Sequence, residues 1–342
     1  MKDKQRPQDY GGQAVLEGVM MRSREAMAIA VRRPDGTLRI KHEAVTPVPK
    51  KDQWMTWPFI RGSVSMVKMM SVGMKVLTAS ADMAGLEEEE PSKFEKWLAK
   101  KLGTGVDKIV MGLAVVLALV LSMGLFMLLP NLPAKAMRNA GWSLMTVNLV
   151  SGVIRTAILM AYLYLCGKIP DMRRVFQYHG AEHKTIYCYE NGQPLTPQNV
   201  QKFSTLHPRC GTSFLLITFI FSIVFYSVID VAVLSVTGYD LGQNYLARIG
   251  TRLLLLPVVA GVSYELLKGL AHADTPLTRA LRWPGMQLQR LTTRPPTDKM
   301  CEVAIEALNA VLHGLPKSER TQDGLAILPG EPDPVKAEPQ PA

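Results

Sequence analysis

What this chain lacks narrows it first. Its four cysteines, Cys166, Cys188, Cys210 and Cys301, show no paired short spacing, so no disulfide framework is expected and the thiols read as reduced. No internal repeat of useful period recurs, which sets solenoids and propellers aside. The first ten residues, Met1 to Tyr10, are polar and lead into no apolar core. An ordinary signal peptide is therefore not expected, and insertion into a membrane falls to internal segments. The formal charge of +10 does not point to nucleic acid, because the basic residues are not interleaved with aromatics in a groove-like run. They lie beside apolar spans, and anionic lipid headgroups of a bilayer are the expected partner.

What is present is hydrophobicity in long blocks, 48% of the 342 residues with 19 Met, the composition of a membrane chain. Four spans can be read. Ile109 to Pro130 carries no charge and is long enough for a hydrocarbon core roughly 30 Å thick at about 1.5 Å per residue. Thr146 to Gly167 is interrupted by Arg155. Ser213 to Val236 holds Asp230 near its end, and Leu246 to Leu270 holds Arg252, Pro257 and Glu265. Lys93, Lys96, Lys100, Lys101 and Lys108 precede span one. Lys168, Arg173, Arg174, Lys184, Lys202 and Arg209 fill the connection between spans two and three. Both stretches read as cytoplasmic by the positive-inside rule, which places both termini in the cytoplasm of a multi-pass inner-membrane protein. Span direction sets Asp230 and Arg252 at a similar level, where they are expected to pair as packing charges. Span four returns inward and brings Glu265 toward the cytoplasmic face, as a ligand or base or as a carboxylate snorkelling near Lys268.

Outside the spans, Met27 to Arg33 and Thr37 to Val45 flank Pro34-Asp35-Gly36, a hairpin signal. Phe59 to Met83 places Arg61, Lys68, Ser71, Lys75, Thr78 and Asp82 on one helical stripe, so an amphipathic helix is expected in the membrane interface or packed on the bundle. Ser92 and Glu95 form a capping-box pattern after an acidic run at Glu87 to Glu90. Asp298 can cap a helix with Met300, Val303, Ala304, Leu308, Val311 and Leu312 on one face. The chain divides accordingly: cytosolic 1–56 with the hairpin, interfacial helices over 57–104, a four-span membrane domain over 105–297 with a cytoplasmic loop at 168–212, a helix at 298–315, and a tail at 316–342 whose composition predicts disorder. The expected fold class is an all-α polytopic membrane protein of four transmembrane helices with a small β-containing amino-terminal region.

The chemistry concentrates in the loop at 168–212. His179-Gly180-Ala181-Glu182-His183 puts two imidazoles one helical turn apart, so both can reach one metal. The order His-x-x-Glu-His matches that of inverzincin metalloproteases, in which the Glu polarises a metal-activated water. A third ligand is needed, and His207 is the first choice, with Cys210 and Glu265 in reserve. The expected cofactor is a divalent metal, zinc first. Gly11, Gly12 and Gly18 permit tight turns, while Gln13, Glu17 and Arg22 either line the pocket or pair Glu17 with Arg22.

Several motifs together resemble the YqhQ-like family of bacterial membrane proteins: Gly11-Gly12-Gln13-Ala14-Val15-Leu16-Glu17-Gly18-Val19-Met20-Met21-Arg22, Pro58-Phe59-Ile60-Arg61-Gly62, His179 to Lys184, His207-Pro208-Arg209-Cys210-Gly211-Thr212, Tyr264-Glu265 and Leu291-Thr292-Thr293-Arg294. The resemblance implies a metal-dependent enzyme on these residues and supplies no substrate. After Thr-Thr-Arg the family continues with an acidic residue, where this chain has Pro295-Pro296. The expected activity is hydrolysis with His179, His183 and His207 on the metal, Glu182 as base, and Glu265 or Arg209 stabilising substrate or transition state. The rivals are a scaffold or assembly factor with a structural metal, and metal transport.

Overall fold

The structure, a computed structural model, describes residues 10–45, 50–85, 106–272, 275–315 and 325–331. The acidic run at 87–90, the capping box at Ser92 and most of the carboxy-terminal tail lie outside them. Two compact units emerge, one of Met1–Gly85, Leu163–Thr218 and Leu254–Ala342, the other of Leu86–Tyr162 and Phe219–Leu253.

The first unit is built on a five-stranded antiparallel meander: β1 Gly11–Val15, β2 Gly18–Arg22, β3 Ala26–Arg32, β4 Leu38–Ala44 and β5 Leu325–Leu328. The expected hairpin is β3–β4, with Ile29 facing Lys41 and Arg32 facing Leu38. The sheet is larger than the sequence suggests in two ways. The Gly-Gly-Gln segment is a strand rather than a pair of turns, because only Leu16 and Glu17 separate its pairing from that of β2. The tail, expected to be disordered from 316 onward, contributes β5, because Leu325, Ile327 and Leu328 can close the edge of β4 that a short meander leaves open.

Both faces of this sheet are covered, so its apolar residues do not simply alternate with polar ones. On one face Val19, Met21, Ala28 and Ala30 pack against α5 (Pro170–Glu190) and α10 (Asp298–His313), whose Met300, Val303, Ala304 and Leu308 form the expected docking stripe. The cap of α10 is Thr297, accepting from the Met300 N–H, one residue before the expected Asp298. On the other face Val15, Met20, Ile29 and Val31 meet Val76, Met83 and Ala84 of α1 (Ile60–Ala84). Met69, Met70 and Met74 of α1 stay exposed. Short α6 (Pro197–Val200) is capped by Thr196, whose side chain accepts from the Asn199 N–H. Capped by Thr275, α9 (Pro276–Thr292) leads into the segment before α10.

Four helices are long and apolar enough to cross a membrane, over Val115–Asn139, Leu144–Cys166, Leu215–Thr237 and Leu246–Leu270. They belong to α2 (Val106–Met123) continued through a π-turn at Gly124–Leu128 into α3 (Leu129–Asn139), and to α4 (Leu144–Cys166), α7 (Gly211–Thr237) and α8 (Tyr245–His272). Span one does not end at Pro130 as expected. Proline has no N–H for the carbonyl four residues before it, that of Phe126. The π-turn re-routes the ladder, and Arg155 Nε supplies the missing donor to Phe126 at 2.9 Å. The expected Arg252–Asp230 pair forms at 3.5 Å, with Arg248 closer at 3.0 Å.

Candidate functional site

The site grows from α5. Pro170 and Asp171 open this helix, a donor-free residue and a negative charge where the first turn accommodates both. Its middle carries His179, Glu182 and His183, and two other segments close on it because small residues let them. At Gly180 a side chain would collide with the Arg294 carbonyl. Without one, the Arg294 N–H bonds the Phe176 carbonyl at 2.8 Å, which lays the end of α9 along α5. At Gly12 a Cβ would stand 2.9 Å from Glu182 Cδ and 2.6 Å from the Met20 carbonyl, so only glycine lets β1 lie over the carboxylate.

These contacts fix the imidazoles. His179 Nδ1 is 2.8 Å from the Thr292 carbonyl and His183 Nδ1 is 2.5 Å from the Thr205 carbonyl. A carbonyl only accepts, so each Nδ1 carries the proton and each Nε2 is left with a lone pair. His179 Nε2 lies 3.3 Å from Cys210 Sγ, and ligand atoms of His179, His183 and Cys210 all fall within 4.8 Å of one another. Burial pushes His183 below the ordinary histidine range, keeping it neutral as a metal requires. Two imidazoles and a thiol suit zinc or another borderline cation.

His207, the first choice for third ligand, stands back from this trio. Its ring centroid is 5.7 Å from that of His183 and 4.5 Å from that of Tyr187. Gln289, fully buried, clamps its backbone, accepting from the His207 N–H at 2.7 Å and donating to its carbonyl at 2.8 Å. Burial lowers the His207 pKa to about 4 against the pull of Glu182. Cys210, the reserve, stands beside the two histidines because a turn after His207, with Cys210 N–H bonding the His207 carbonyl at 3.2 Å, swings the thiol back toward α5.

Glu182 is 5% exposed. Burial raises its pKa, opposed by His179, His207 and the Gly12 N–H. A carboxyl so held gives up its proton less readily than a solvated one. Glu265 goes elsewhere: it accepts from Arg61 Nε at 2.7 Å and from the Phe59 N–H at 3.2 Å, tying α8 to the start of α1. Arg209 is ion-paired to Glu190 and lines the cavity. Glu17 pairs not with Arg22 but with Arg174, through two contacts of 2.7 Å. Those contacts hold Glu17 in a left-handed turn at φ 54°.

A cavity of about 630 Å³ opens over the site. Glu182, His183, His207 and Cys210 form one corner, Arg22, Arg24 and Arg209 add positive charge, and Met66, Met69, Val72 and Leu267 make an apolar wall. Gln13 and Arg22 reach it as one reading of the amino-terminal motif expects. The positioning groups Thr205, Gln289 and Thr292 were not legible as such. Two act through backbone carbonyls, which side-chain identity does not encode. Gln289, a polar residue on the buried face of α9, was the one available signal.

The model of a family described as "Protein of unknown function (DUF1385)" matches residues 57–314. The chain is 36% identical over 325 residues to "Uncharacterized protein YqhQ" of Bacillus subtilis (strain 168), covering 92% of this chain and 96% of that protein. No solved structure matches.

Proposed function

We propose, from the fact that this chain belongs to the DUF1385 family of proteins of unknown function, that it is a multi-pass inner-membrane hydrolase with a divalent metal, zinc first, held by His179, His183 and Cys210. The observation that carries this reading is the pair of carbonyl-held imidazoles whose free nitrogens converge with a thiol beside a cavity. Three protein ligands leave a fourth position for water or substrate, the pattern of catalytic rather than structural zinc. A metal there would lower the pKa of a water molecule and polarise the bond to be cleaved. Glu182 would take the proton of the attacking water and pass it to the leaving group. Thr292 and Thr205 would hold the ligand rings, and Gln289 would hold His207.

The cavity suits a substrate with an acidic head and an apolar body, the arginines receiving the one and the methionine wall the other. Access would come from the cytoplasmic face of a bilayer with anionic headgroups, both termini lying on that side. Exposed Met69, Met70 and Met74 on α1 support contact of that helix with the interface.

A second reading, a scaffold with a structural metal, draws on how tightly the same residues bind three segments to α5. Lys184 Nζ alone bonds the Gln201 and Phe203 carbonyls at 2.7 Å each. Metal analysis of the detergent-purified protein separates the two. Stoichiometric metal in wild type and Glu182→Gln, its loss in His183→Ala and Cys210→Ser, and failure of Glu182→Gln to complement a deletion strain favour the enzyme. Full complementation by Glu182→Gln favours the scaffold, and wild type without metal ends both readings.

A further inference from the structure

The apolar unit holds more positive charge than it neutralises. Asp230 on α7 is 3% exposed and receives Arg248 at 3.0 Å, Arg252 at 3.5 Å and Asn148 Nδ2 at 3.0 Å, all on one oxygen. Asn148 Oδ1 accepts from Arg248 in turn at 2.8 Å. Arg155, on α4, gives its Nε to a carbonyl rather than to a carboxylate. Farther along, Arg138 pairs with Asp240 at 2.5 Å. Among the described residues of this cluster, four guanidiniums thus face two carboxylates. Nε of Arg248 and of Arg252 are buried without a hydrogen-bond partner among those residues, and the Arg248 side chain is 10% exposed.

Such an arrangement is costly in helices apolar enough to cross a membrane, where a charge needs a partner or water. An ion pair that merely glued helices together would match its charges. This one exceeds them by two, and it does so around open space. Arg248 lines a cavity of about 530 Å³ together with Asn131, Asn148, Gln243 and the Arg138–Asp240 ion pair. It also lines, with Arg252, a second cavity of about 270 Å³ whose other walls include Val120, Met123, Gly124 and Leu128. The π-turn that frees the Phe126 carbonyl for Arg155 also forms part of that apolar wall.

We propose that Arg248, backed by Arg252, is an anion site, taking a phosphate or carboxylate group between Arg248 and the polar wall of the larger cavity. Planar guanidiniums with unused N–H groups match the paired oxygens of such an anion. The same group can come from an acidic lipid, with its chain along the apolar cavity, or from a small solute.

The test uses the full chain, purified and placed in phosphatidylcholine nanodiscs. Inorganic phosphate is titrated against the chloride salt at constant ionic strength, with binding read by calorimetry. In parallel, nanodiscs with added phosphatidylglycerol are compared with phosphatidylcholine alone for bound lipid by native mass spectrometry. Saturable phosphate binding assigns the solute source. Retention of phosphatidylglycerol over phosphatidylcholine assigns the lipid source. In either case Arg248→Gln is expected to weaken binding at least about tenfold, the loss of one charge-assisted hydrogen bond of about 1.5–3 kcal/mol, and Arg248→Lys to weaken it less. Wild type that binds neither phosphate above chloride nor phosphatidylglycerol above phosphatidylcholine overturns the proposal, whether or not the variants fold. Binding undiminished in a folded Arg248→Gln overturns it equally.

Discussion

Among the described residues the sheet-bearing unit buries twelve polar or charged side chains and the apolar unit five, and the two satisfy them by different means. In the sheet-bearing unit, imidazoles, an amine and an amide are turned onto backbone carbonyls: His179 on Thr292, His183 on Thr205, Lys184 on Gln201 and Phe203, Gln289 on His207. Burial lowers the pKa of both His183 and Lys184. In the apolar unit the buried groups are guanidiniums set against a single nearby carboxylate, Asp230. Dipoles hold the first arrangement and full charges the second. The first leaves converging lone pairs and the second buried guanidinium N–H groups, the physical basis of the cation and anion sites proposed above.

If that contrast is right, breaking the charged arrangement should cost most. Asp230→Ala leaves Arg248 and Arg252 buried without their carboxylate, and breaking a buried pair from one side costs about 3–5 kcal/mol. Sharply reduced folded yield and a lower unfolding midpoint in detergent are the expected result. A midpoint equal to wild type would mean that water reaches these arginines freely, and the contrast would fall. The dipolar arrangement should be milder. Lys184→Met keeps the aliphatic stem but leaves two carbonyls unpaired, for an expected loss of about 1–3 kcal/mol, measured by urea titration of the sheet-bearing unit's fluorescence. A loss as large as that of Asp230→Ala would show that Lys184 acts as a buried charge.

Much of this was legible from residue patterns, and the failures have physical causes. Hydropathy marked four spans, and hydrophobic spacing marked α1 and the docking face of α10, because burial in lipid or protein acts on side-chain identity directly. The Asp230–Arg252 pair was legible because charges inside apolar runs must find partners. Pro130 misled because the donor it lacks came from Arg155, a residue distant in sequence. Strand β5 was hidden in a polar, Pro-rich context, its pairing set by the free edge of β4 rather than by local propensity. At the site, the helical spacing of His179 and His183 was plain. That Cys210 rather than His207 stands nearest the pair was not, since it depends on one turn whose direction no spacing rule states. Glu265 was drawn toward the histidines by span direction alone, whereas Arg61 offered it a bidentate partner close by.

The smallest effect expected on stability is also the sharpest on the cluster. Cys301 is fully buried, and burial pushes its pKa up to about 12. A raised thiol pKa means less thiolate: at pH 8 about one part in ten thousand, far below an ordinary thiol near 8.5. Cys188 is shifted the same way. Cys166 and Cys210 are the half-buried pair, so in a Cys166→Ser background maleimide at pH 8 should label Cys210 alone until the protein unfolds. Zinc added in slight excess should then slow Cys210 labelling by at least about tenfold if the thiol is a ligand, because a metal-bound thiolate is both shielded and less nucleophilic. The protection should vanish in His183→Ala, which removes a ligand but not the thiol. Protection that persists there would mean that zinc binds Cys210 without the helix, and labelling that zinc never slows would remove the thiol from the ligand set.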